Sequence, residues 1–507
     1  MSDWPVLSLM VWAPLLGAIL ILGSPACWVK GIQRLGVVFA SLPLLLALPM
    51  YVNFWQAPAT GYRWVEDVLW FAPLNIHYKL GVDGLSMPML LLSGIVCCTA
   101  AFISLQIDFR HREYFALALT AMTGVLGVFA TTDLFFLILF YELASIPMFF
   151  LVGIWGSDKS GDGKPIHRRQ AAMKLLVYLQ LGGGLVLIGI LGLYFLSAQY
   201  SPNQTFSFDL EVLRQIPLPI EAQKILFLIF FIGFGIEAGL VPFHTWLPEG
   251  HSSAPTALSM LLAGVLLKMG GYGIVRLGFD LCPQAVADWM PIFAAVAVVN
   301  VLYGGLCALR QSDIKVMIAY SSVSHMGMVF LGLAAMTGES RSALFGLTGA
   351  VFQMFSHGII TALLFALAGT VYHITHSRNL KQWGGLAARM PFLATLFAVG
   401  AMGSLGLPGM TGFAAELMVF LGSWPARPGL TALAICGLVI TTTYMLRSLG
   451  YGFFGPLNPR LIGVRDALWW ERLPLMLLAL TTLAFGFYPV LLTAVTSPTL
   501  QDLVNRV

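Results

Sequence analysis

Apolar runs of about twenty residues recur along the 507 residues of this chain, and one of them reads LFFLILFYELASIPMFFLVGIW. The hydrocarbon core of a bilayer is about 30 Å thick and needs about 20 helical residues to cross it. Strands of a membrane β-barrel would instead be about 10 residues long with alternating polarity, and the runs do not alternate in this way. The runs therefore predict an all-α polytopic membrane protein.

Composition excludes the other broad classes of protein. Only 10% of the residues are charged and 58% are hydrophobic, whereas soluble domains carry about 25% charged residues. A soluble fold, a disordered chain and a nucleic-acid-binding protein are therefore excluded, and the lipid bilayer is the expected surrounding. The net charge of +4 is small, so the distribution of charge matters more than its sum.

The apolar runs predict about 14 transmembrane helices in a single transmembrane domain, residues 1–507. The predicted helix centres are Leu16, Leu44, Val96, Gly124, Phe140, Leu187, Ile229, Val265, Val296, Val323, Thr361, Ala398, Cys436 and Leu480. Loops on the side opposite the N-terminus hold roughly twice as many Lys and Arg residues as loops on the N-terminal side. Because cytoplasmic loops carry this excess, both termini are expected on the non-cytoplasmic side.

Two of the predicted helices are interrupted. The seventh contains glycines, Glu237 and a proline, and the twelfth contains glycines, a proline and Glu416. Such interruptions free backbone groups that lipid cannot satisfy, so they belong inside the protein. Broken helices at matching positions of two halves are typical of inverted-repeat transporters. We therefore predict two inverted five-helix repeats, at 114–277 (spans four to eight) and 287–449 (spans nine to thirteen).

Ionisable residues lie at the centre of several apolar runs, where each charge costs about 2.5–3.5 kcal/mol on insertion scales. They are Glu142, Glu237, Lys268, His325, His357 and Glu416. One interpretation is structural: the histidines are interhelical hydrogen-bonding partners and the charges form buried pairs that fix helix register, although such pairs are poor stabilisers. The other is proton transfer, which acidic, basic and imidazole groups at mid-depth suit. Lys174 starts the sixth run, and its side chain is expected to reach the membrane–water interface. Lys315 fits either a residue at a loop edge or a member of a proton pathway.

The sequence shows no motif for a metal or a redox cofactor. The six cysteines are scattered without a CxxC pair, and His373 and His376 lack nearby carboxylate or cysteine partners. A tetrahedral metal site needs such ligands together. Because no cluster offers haem, flavin or iron–sulfur ligation either, no cofactor is expected in this chain.

Six segments carry a family resemblance: GVDGLSMPMLLLS, LFYELASIPMFFL, VPFHTWLPEGHSSAPTALSMLLAGVLLKMGGYGIVRL, SDIKVMIAYSSVSHMGMV, FSHGIITALLFALAGTVYHITHSR and LGLPGMTGFAAELMVF. With them the chain, from about residue 81 to about 454, resembles the antiporter-like membrane subunits of respiratory complex I. The Met-Gly-Gly-Tyr-Gly stretch after Lys268 looks most like the M type, the relatives of mitochondrial subunit ND four. Mrp sodium/proton antiporters belong to the same broad family.

The resemblance implies a proton-translocating membrane-arm subunit of an NADH:quinone oxidoreductase or a variant complex I. It implies a place in the bacterial inner (plasma) membrane, and an enzyme in which this chain contributes no redox centre. The implied partners are L- and N-type antiporter-like subunits and small membrane subunits. NAD, FMN, iron–sulfur clusters and quinone are expected in those partner subunits.

Residue roles also follow from the resemblance. Glu142 corresponds to a glutamate that modulates a neighbouring lysine, and Lys268 corresponds to the central relay group. Glu416 corresponds to an acid that passes protons toward the exit side. His325 and His357 match polar positions that link the relay across the subunit.

Glu237 departs from the family pattern. The family has a lysine in a string like FGxKxxxxPxHxWLP, whereas this chain reads FGIEAGLVPFHTWLP. A carboxylate there cannot form an opposite-charge pair with Glu142, and two nearby acids favour one shared proton. Four readings stay open: a complex I subunit with altered charge logic, an Mrp-type cation/proton antiporter subunit, a diverged subunit of a hydrogenase- or inorganic-carbon-linked relative, and a structural spacer that does not conduct.

Overall fold

The first half of the chain forms separate helices that enter and leave a bundle. The computed structural model describes residues 4–159, 167–201 and 204–507. In the first half the helices are α1 (Val6–Gly23), α2 (Val29–Gln56), α3 (Ser86–Ile103), α4 (His111–Ala130), α5 (Leu134–Trp155), α6 (Arg168–Tyr200), the short α7 (Leu210–Leu213), α8 (Ile220–Glu237) and α9 (Trp246–Ser253).

One long helix then carries two π turns. Its segments α10 (Thr256–Leu261) and α11 (Leu267–Gly273) are joined by the π turn Leu262–Leu266, and a second π turn, Ile274–Phe279, ends it. The remaining helices are α12 (Val286–Arg310), α13 (Ile314–Leu333), α14 (Ser340–Thr375), α15 (Pro391–Ser404), α16 (Thr411–Ala426), α17 (Pro428–Gly452), α18 (Trp469–Phe487) and α19 (Val490–Arg506).

The helical membrane fold that the sequence predicts is confirmed. All of the predicted helix centres lie in helical segments, and within the described residues 12 helices are long and apolar enough to cross a membrane. The predicted breaks are also present, because the seventh span divides into α8 and α9 and the twelfth into α15 and α16. The exact number of crossings, about 14, stays a prediction.

A β-hairpin between α2 and α3 is an exception to the helices-only expectation. Strands β1 (Arg63–Phe71) and β2 (Ile76–Val82) pair antiparallel. Their turn is completed by Asn75, which has a left-handed φ of 51°, a conformation that asparagine tolerates better than most residues. Only these two strands form within the described residues, so the hairpin adds to the helical bundle and does not change its class.

Ionic and capping contacts fix this hairpin to its surroundings. Lys79 Nζ lies 2.6 Å from Asp209 Oδ2 and 2.7 Å from Glu211 Oε2. Glu66 Oε1 accepts a hydrogen bond from the Leu7 amide at 2.8 Å, and its carboxylate also accepts from the Ser8 amide. First-turn amides have no partner inside their own helix, so Glu66 supplies the cap that the start of α1 lacks.

The centre of the bundle is formed by two helices that have almost no outer surface. The most apolar stretches of Thr256–Phe279 and of Ser340–Thr375 are wholly buried, whereas those of the outer helices are only partly so. Lys268 lies on the first of these helices and His357 on the second. The architecture therefore places these two ionisable side chains far from lipid.

The order of elements is similar on both sides of α12. One series is α4, α5, α6, the broken pair α8–α9 and the helix α10–α11, and the other is α12, α13, α14, the broken pair α15–α16 and α17. An aspartate N-cap starts the second helix of each series, namely Asp133 before α5 and Asp313 before α13. The inverted relation between 114–277 and 287–449 stays a prediction.

Candidate functional site: a buried series of ionisable side chains

The break between α8 and α9 is closed by partners from other elements. After α8 ends at Glu237, Gly239 adopts a positive φ of 72°. The Val241 amide donates to Asn300 Oδ1 at 2.8 Å, and Trp246 Nε1 donates to the Ile236 carbonyl at 3.0 Å. Backbone groups freed inside a membrane must find such partners. The interruption is therefore a stable feature that ends α8 inside the protein.

Glu237 and Glu142 have different partners in this region. Tyr141 donates to Glu237 Oε2 at 2.6 Å, and Glu237 is fully buried with Oε1 lacking a partner among the described residues. Glu142 is only half-buried, and its Oε2 accepts from Gln180 Nε2 at 2.5 Å. Each carboxyl group thus bonds to a neutral side chain, and neither bonds to a cation within the described part of the chain.

Lys268 lies where two π turns bracket a short α-helical segment. In the first π turn the Leu267 amide bonds to the Leu262 carbonyl, so the Ala263 carbonyl loses its usual α-helical donor. Lys268 Nζ donates to that carbonyl and also lies 2.7 Å from His357 Nδ1. Single π turns inside α-helices are frequent at functional sites. Here the π turn provides an acceptor for a fully buried amine.

His357 leads from Lys268 to a second imidazole. The rings of His357 and His325 have centroids 5.5 Å apart. His325 Nε2 lies 3.1 Å from Ser404 Oγ, and His325 Nδ1 lies 3.3 Å from Gln353 Nε2. Both histidines are buried. Two neighbouring imidazoles on α13 and α14 thus connect the central helix to the broken pair α15–α16.

Glu416 ends this series on α16. Its Oε1 lies 3.8 Å from His325 Nδ1, and the carboxyl is almost fully buried. A cavity of about 10 Å³ lies between His325, His357 and Glu416, which is room for about one water molecule. Gly406, with a φ of 73°, lies against the carboxylate, because a Cβ there would overlap Glu416 Oε2. The break in the twelfth span therefore makes space for the acid.

The six residues that the sequence singled out fall into two groups. Lys268, His357, His325 and Glu416 form one buried series through the middle of the bundle, which we call the central series. Glu142 on α5 and Glu237 at the end of α8 lie apart from it. The two groups adjoin at Gly270, where a Cβ would lie only 2.5 Å from the Phe234 carbonyl of α8.

Sequence reasoning missed several side chains of the site. Tyr141, Gln180, Gln353 and Ser404 are common residues whose contacts only the fold reveals. His251 was visible in the VPFHTWLPEGH string, yet it lies in a short amphipathic segment and not in an apolar run. In the structure its buried ring lies 4.7 Å from the ring of Phe365, and both ring nitrogens lack partners in the described residues.

The two lysines at helix starts behave differently. Lys174 reaches Glu249 Oε1 at 2.7 Å and keeps part of its surface exposed, as expected for an interfacial residue. Lys315 is buried, and its Nζ donates to the Ala254 carbonyl at the end of α9, 2.7 Å away. A cavity of about 370 Å³ reaches Lys315 from the ends of α5, α13 and α14. Lys315 is therefore buried at the bottom of an opening, and a simple loop edge does not describe it.

A second cluster of charges closes the opposite end of the helix that carries Lys268. Arg276 bonds to Asp83, donates to Tyr272 Oη at 3.1 Å and contacts Ser86 Oγ at 3.0 Å. Burial alone raises the pKa of Asp83, but the Arg276 guanidinium and the Ser86 amide outweigh it and lower the pKa below the ordinary value. This buried pair ties α3 to the second π turn.

The structure offers little for metal binding in the residues that it describes, since no group of three or more His, Cys, Asp or Glu side chains could hold an ion there. A multi-pass helical bundle with two broken spans and a buried series of ionisable groups defines a membrane protein of the antiporter-like class. Residues 131–441 match the family described as NADH:quinone oxidoreductase/Mrp antiporter, TM, and the chain belongs to that family.

Known relatives agree with this assignment. Over 460 residues the chain is 38% identical to the NAD(P)H-quinone oxidoreductase chain 4 2 of Trichodesmium erythraeum, which covers 89% of this chain and 79% of that protein. Over 505 residues it is 35% identical to the chloroplastic NAD(P)H-quinone oxidoreductase chain 4 of Mesostigma viride, at 98% and 96% coverage. The resemblance to the M type is thereby confirmed.

A solved structure shares the whole fold. A chain of respiratory complex I from Thermus thermophilus with bound NADH superposes with a TM-score of 0.87 at 28% identity, covering 99% of both chains. The likeness extends over the broken spans as well as the outer helices. The chain is therefore a multi-pass, antiporter-like membrane subunit.

Proposed function

We propose that this chain is a proton-translocating membrane-arm subunit of an NADH:quinone oxidoreductase or a variant complex I, coupling quinone reduction to proton pumping. The observation that carries the proposal is the central series of Lys268, His357, His325 and Glu416. Buried ionisable groups are costly in a membrane and mark proton relays. A structural ion pair would account for Lys268 less well, because its bonded partners are a carbonyl and an imidazole.

The proposed route runs from Lys268 through His357 and His325 to Glu416. At Lys268 a neutral amine donates to the Ala263 carbonyl and accepts from His357, and an ammonium donates to both. The same two contacts thus serve both protonation states, so the proton moves without breaking the site. From His325 the step to Glu416 spans 3.8 Å, and a water in the adjoining cavity would bridge such a distance.

Protons are proposed to enter from the cytoplasm and to leave near Glu416. Support for the entry comes from the cavity of about 370 Å³ above Lys315. His251 is proposed to belong to this entry, because its ring is buried and neither ring nitrogen has a partner among the described residues. Glu142 on α5 and Glu237 at the end of α8 are proposed to modulate Lys268. The two five-helix series are proposed to be inverted repeats that place one broken span on each side of Lys268.

The proposal assigns the redox chemistry to other chains. NAD, FMN, iron–sulfur clusters and quinone would be held by partner subunits, and this chain would have a non-redox role. Its neighbours in the membrane would be L- and N-type antiporter-like subunits and small membrane subunits. The location would be the bacterial inner (plasma) membrane with both termini on the non-cytoplasmic side. The relatives' names and the complex I structure support a place beside the redox subunits of such a complex, and the excess of Lys and Arg in the loops opposite the N-terminus supports the orientation.

The test is proton pumping by the assembled complex in liposomes with Lys268→Ala or Glu416→Ala. Each variant is expected to lower the proton-to-electron ratio, because each removes a member of the central series. Lys381→Ala and Glu339→Ala are matched controls, since both residues are exposed and lie outside the series. An unchanged ratio in both test variants would reject the proposal.

A second candidate is an Mrp-type cation/proton antiporter subunit that works without a redox partner. The family description, which names both NADH:quinone oxidoreductase and Mrp antiporter, favours keeping it. The two candidates differ in their partners. Mass spectrometry of the intact membrane complex decides, because flavin and iron–sulfur subunits support the first candidate and small antiporter subunits support the second.

A further inference from the structure

We propose that Glu237 carries a transferable proton as a neutral carboxylic acid, and that Tyr141 is the positioning residue that fixes it at the end of α8. The inference rests on the proposed proton-translocating function and deepens it at one site. It gives a role to the carboxyl group at the position where the family resemblance leads one to expect a lysine.

The surroundings of Glu237 disfavour a permanent carboxylate. The side chain is fully buried, and no cation lies within ion-pair distance of it among the described residues. Unpaired buried charges neutralise by taking up a proton where they can. Glu237 is also the last residue of α8, where the helix dipole disfavours negative charge and would favour a lysine. Burial and the helix dipole therefore both favour the neutral carboxylic acid over the carboxylate.

The charged neighbours are occupied elsewhere or also negative. Besides Tyr141, the acidic, basic and imidazole groups on α5 and on the elements that pack against α8 include Glu142, Arg168, Arg169, Lys174, His244, Lys268, Arg276, Asp288 and Arg310. Lys174, Arg276 and Asp288 pair with Glu249, Asp83 and Lys224 respectively, and Lys268 bonds to Ala263 and His357. Glu142 repels a second negative charge. Because the nearby cations already bond to other groups, Glu237 is neutralised by binding a proton.

Tyr141 determines which oxygen of the Glu237 carboxyl group carries the proton. Its hydroxyl lies 2.6 Å from Glu237 Oε2 and 3.3 Å from the Leu179 carbonyl. When the tyrosine donates along the shorter contact, the acid proton of a neutral Glu237 lies on Oε1, which has no partner among the described residues. When that proton leaves, it passes from Oε1 to a water or to the Lys268 amine, and the carboxylate keeps the bond from Tyr141. One O–H bond breaks and one O–H or N–H bond forms. Tyr141 itself loses no proton.

The consequence for Lys268 concerns charge. A lysine at this position would present a positive or a zero charge to Lys268, whereas Glu237 presents a zero or a negative charge. An ionised Glu237 holds the proton on Lys268, and a reloaded Glu237 releases it toward His357. Either a lysine or a glutamate at position 237 can thus control the proton on Lys268. The two differ in the sign of the charge that acts on Lys268.

The roles of Glu237 and Tyr141 are tested by infrared difference spectroscopy of the purified complex, with spectra compared between acidic and alkaline conditions. Glu237→Gln is expected to remove one carboxylic-acid C=O band, and Tyr141→Phe is expected to shift that band, because the hydrogen bond to the carboxyl is lost. Tyr178→Phe is the matched control, since Tyr178 bonds to Thr245 and not to Glu237. A spectrum in which Glu237→Gln removes no acid band overturns the inference, and so does a band that Tyr141→Phe leaves in place.

Proton pumping provides the second readout. Glu237→Gln keeps the size of the side chain and its bond from Tyr141 but carries no transferable proton, so a severalfold loss of pumping is expected. Glu221→Gln, at the exposed start of the same helix, is the control. Full pumping in Glu237→Gln together with loss in Lys268→Ala overturns this inference alone. Full pumping in Lys268→Ala and Glu416→Ala, with the infrared band intact, overturns the proposed function alone.

Discussion

Lys268 Nζ and His357 Nδ1 lie 2.7 Å apart at the centre of the bundle, on two helices whose apolar stretches are wholly buried. The contact joins the two five-helix series, because Lys268 belongs to the first and His357 to the second. Two positive charges at this distance would repel in a buried setting, so the pair can carry at most one excess proton at a time. In the proposed route, this pair is the point at which a proton passes from one series to the other.

Replacing His357 by leucine is expected to lower the proton-to-electron ratio of the assembled complex. The substitution keeps an apolar helix but removes the only side-chain partner of Lys268 among the described residues. Pumping in liposomes measures the effect. His111→Leu, at the partly exposed start of α4 and outside both the central series and the entry cavity, is the control and should pump normally. Equal ratios for the two variants would contradict the route through His357.

Gly406→Ala is expected to impair pumping by moving Glu416. A Cβ at position 406 would overlap the carboxylate, which is the mobile end of a side chain and can shift. Gly455→Ala is the matched control, because Gly455 also has a positive φ, 88°, but has open space around it. Both variants should lose stability by roughly 1–2 kcal/mol from the backbone alone. Only Gly406→Ala should change proton pumping, and a change in both would refute displacement as the cause.

Asp83→Asn is expected to destabilise the fold by about 3–5 kcal/mol, because it leaves the buried Arg276 guanidinium without its counter-charge. Thermal unfolding in detergent measures the loss. Asp502→Asn is the control, since Asp502 pairs with Arg506 at an exposed helix end and such pairs contribute about 0.3–0.5 kcal/mol. Similar losses of stability in the two variants would contradict a stabilising role for the buried Asp83–Arg276 ion pair.

The same aspartate sets an expectation for pH. The folded-state pKa of Asp83 is lowered, so its contribution to stability is fully present above the unfolded pKa of about 3.9 and is lost as pH falls through the lower folded value. The contribution of the Asp83–Arg276 ion pair to stability should therefore be constant between about pH 5 and 8 and decrease only in stronger acid. Thermal unfolding over this range checks it, and a decline near neutral pH that Asp83→Asn abolishes would count against it.

Glu66→Gln is expected to loosen the first turn of α1. Glu66 accepts the Leu7 and Ser8 amides across the hairpin. Glutamine keeps one acceptor oxygen but places an NH2 donor where Oε2 accepts from Ser8, so the variant loses part of a cap whose complete loss typically costs about 1 kcal/mol. Hydrogen exchange of the peptide that starts at Val6 should become faster. Asp67→Asn, whose side chain contacts His77 of the hairpin, should leave that exchange unchanged. Slow exchange in Glu66→Gln would show that α1 does not depend on this cap.

The helices and the buried ionisable residues could be predicted because both are local properties of the chain. Length and apolarity decide whether a segment crosses a bilayer, and a charge such as Lys268 is conspicuous inside an apolar run. Contacts between distant residues are not local. Tyr141 and Glu237 are 96 positions apart, and a tyrosine beside Glu142 gives no signal of its own in the sequence.

The hairpin was missed for a different reason. Its strands Arg63–Phe71 and Ile76–Val82 lie outside the apolar runs, so a search for long barrel strands passes over them. The available signal was an asparagine, Asn75, between two segments rich in aromatic and β-branched residues. The Lys79 contacts with Asp209 and Glu211 were beyond reach, because charge type alone does not select partners so far along the chain.

The π turn Leu262–Leu266 makes the residue count of its helix critical. A π turn is equivalent to one extra residue in an α-helix, and each residue rotates the helix by about 100°. Deleting a single residue there would restore a regular helix and swing Lys268 away from His357, with every side chain before the deletion unmoved. Insertions and deletions accumulated over evolution should therefore spare this helix, even where they change the lengths of the connecting loops.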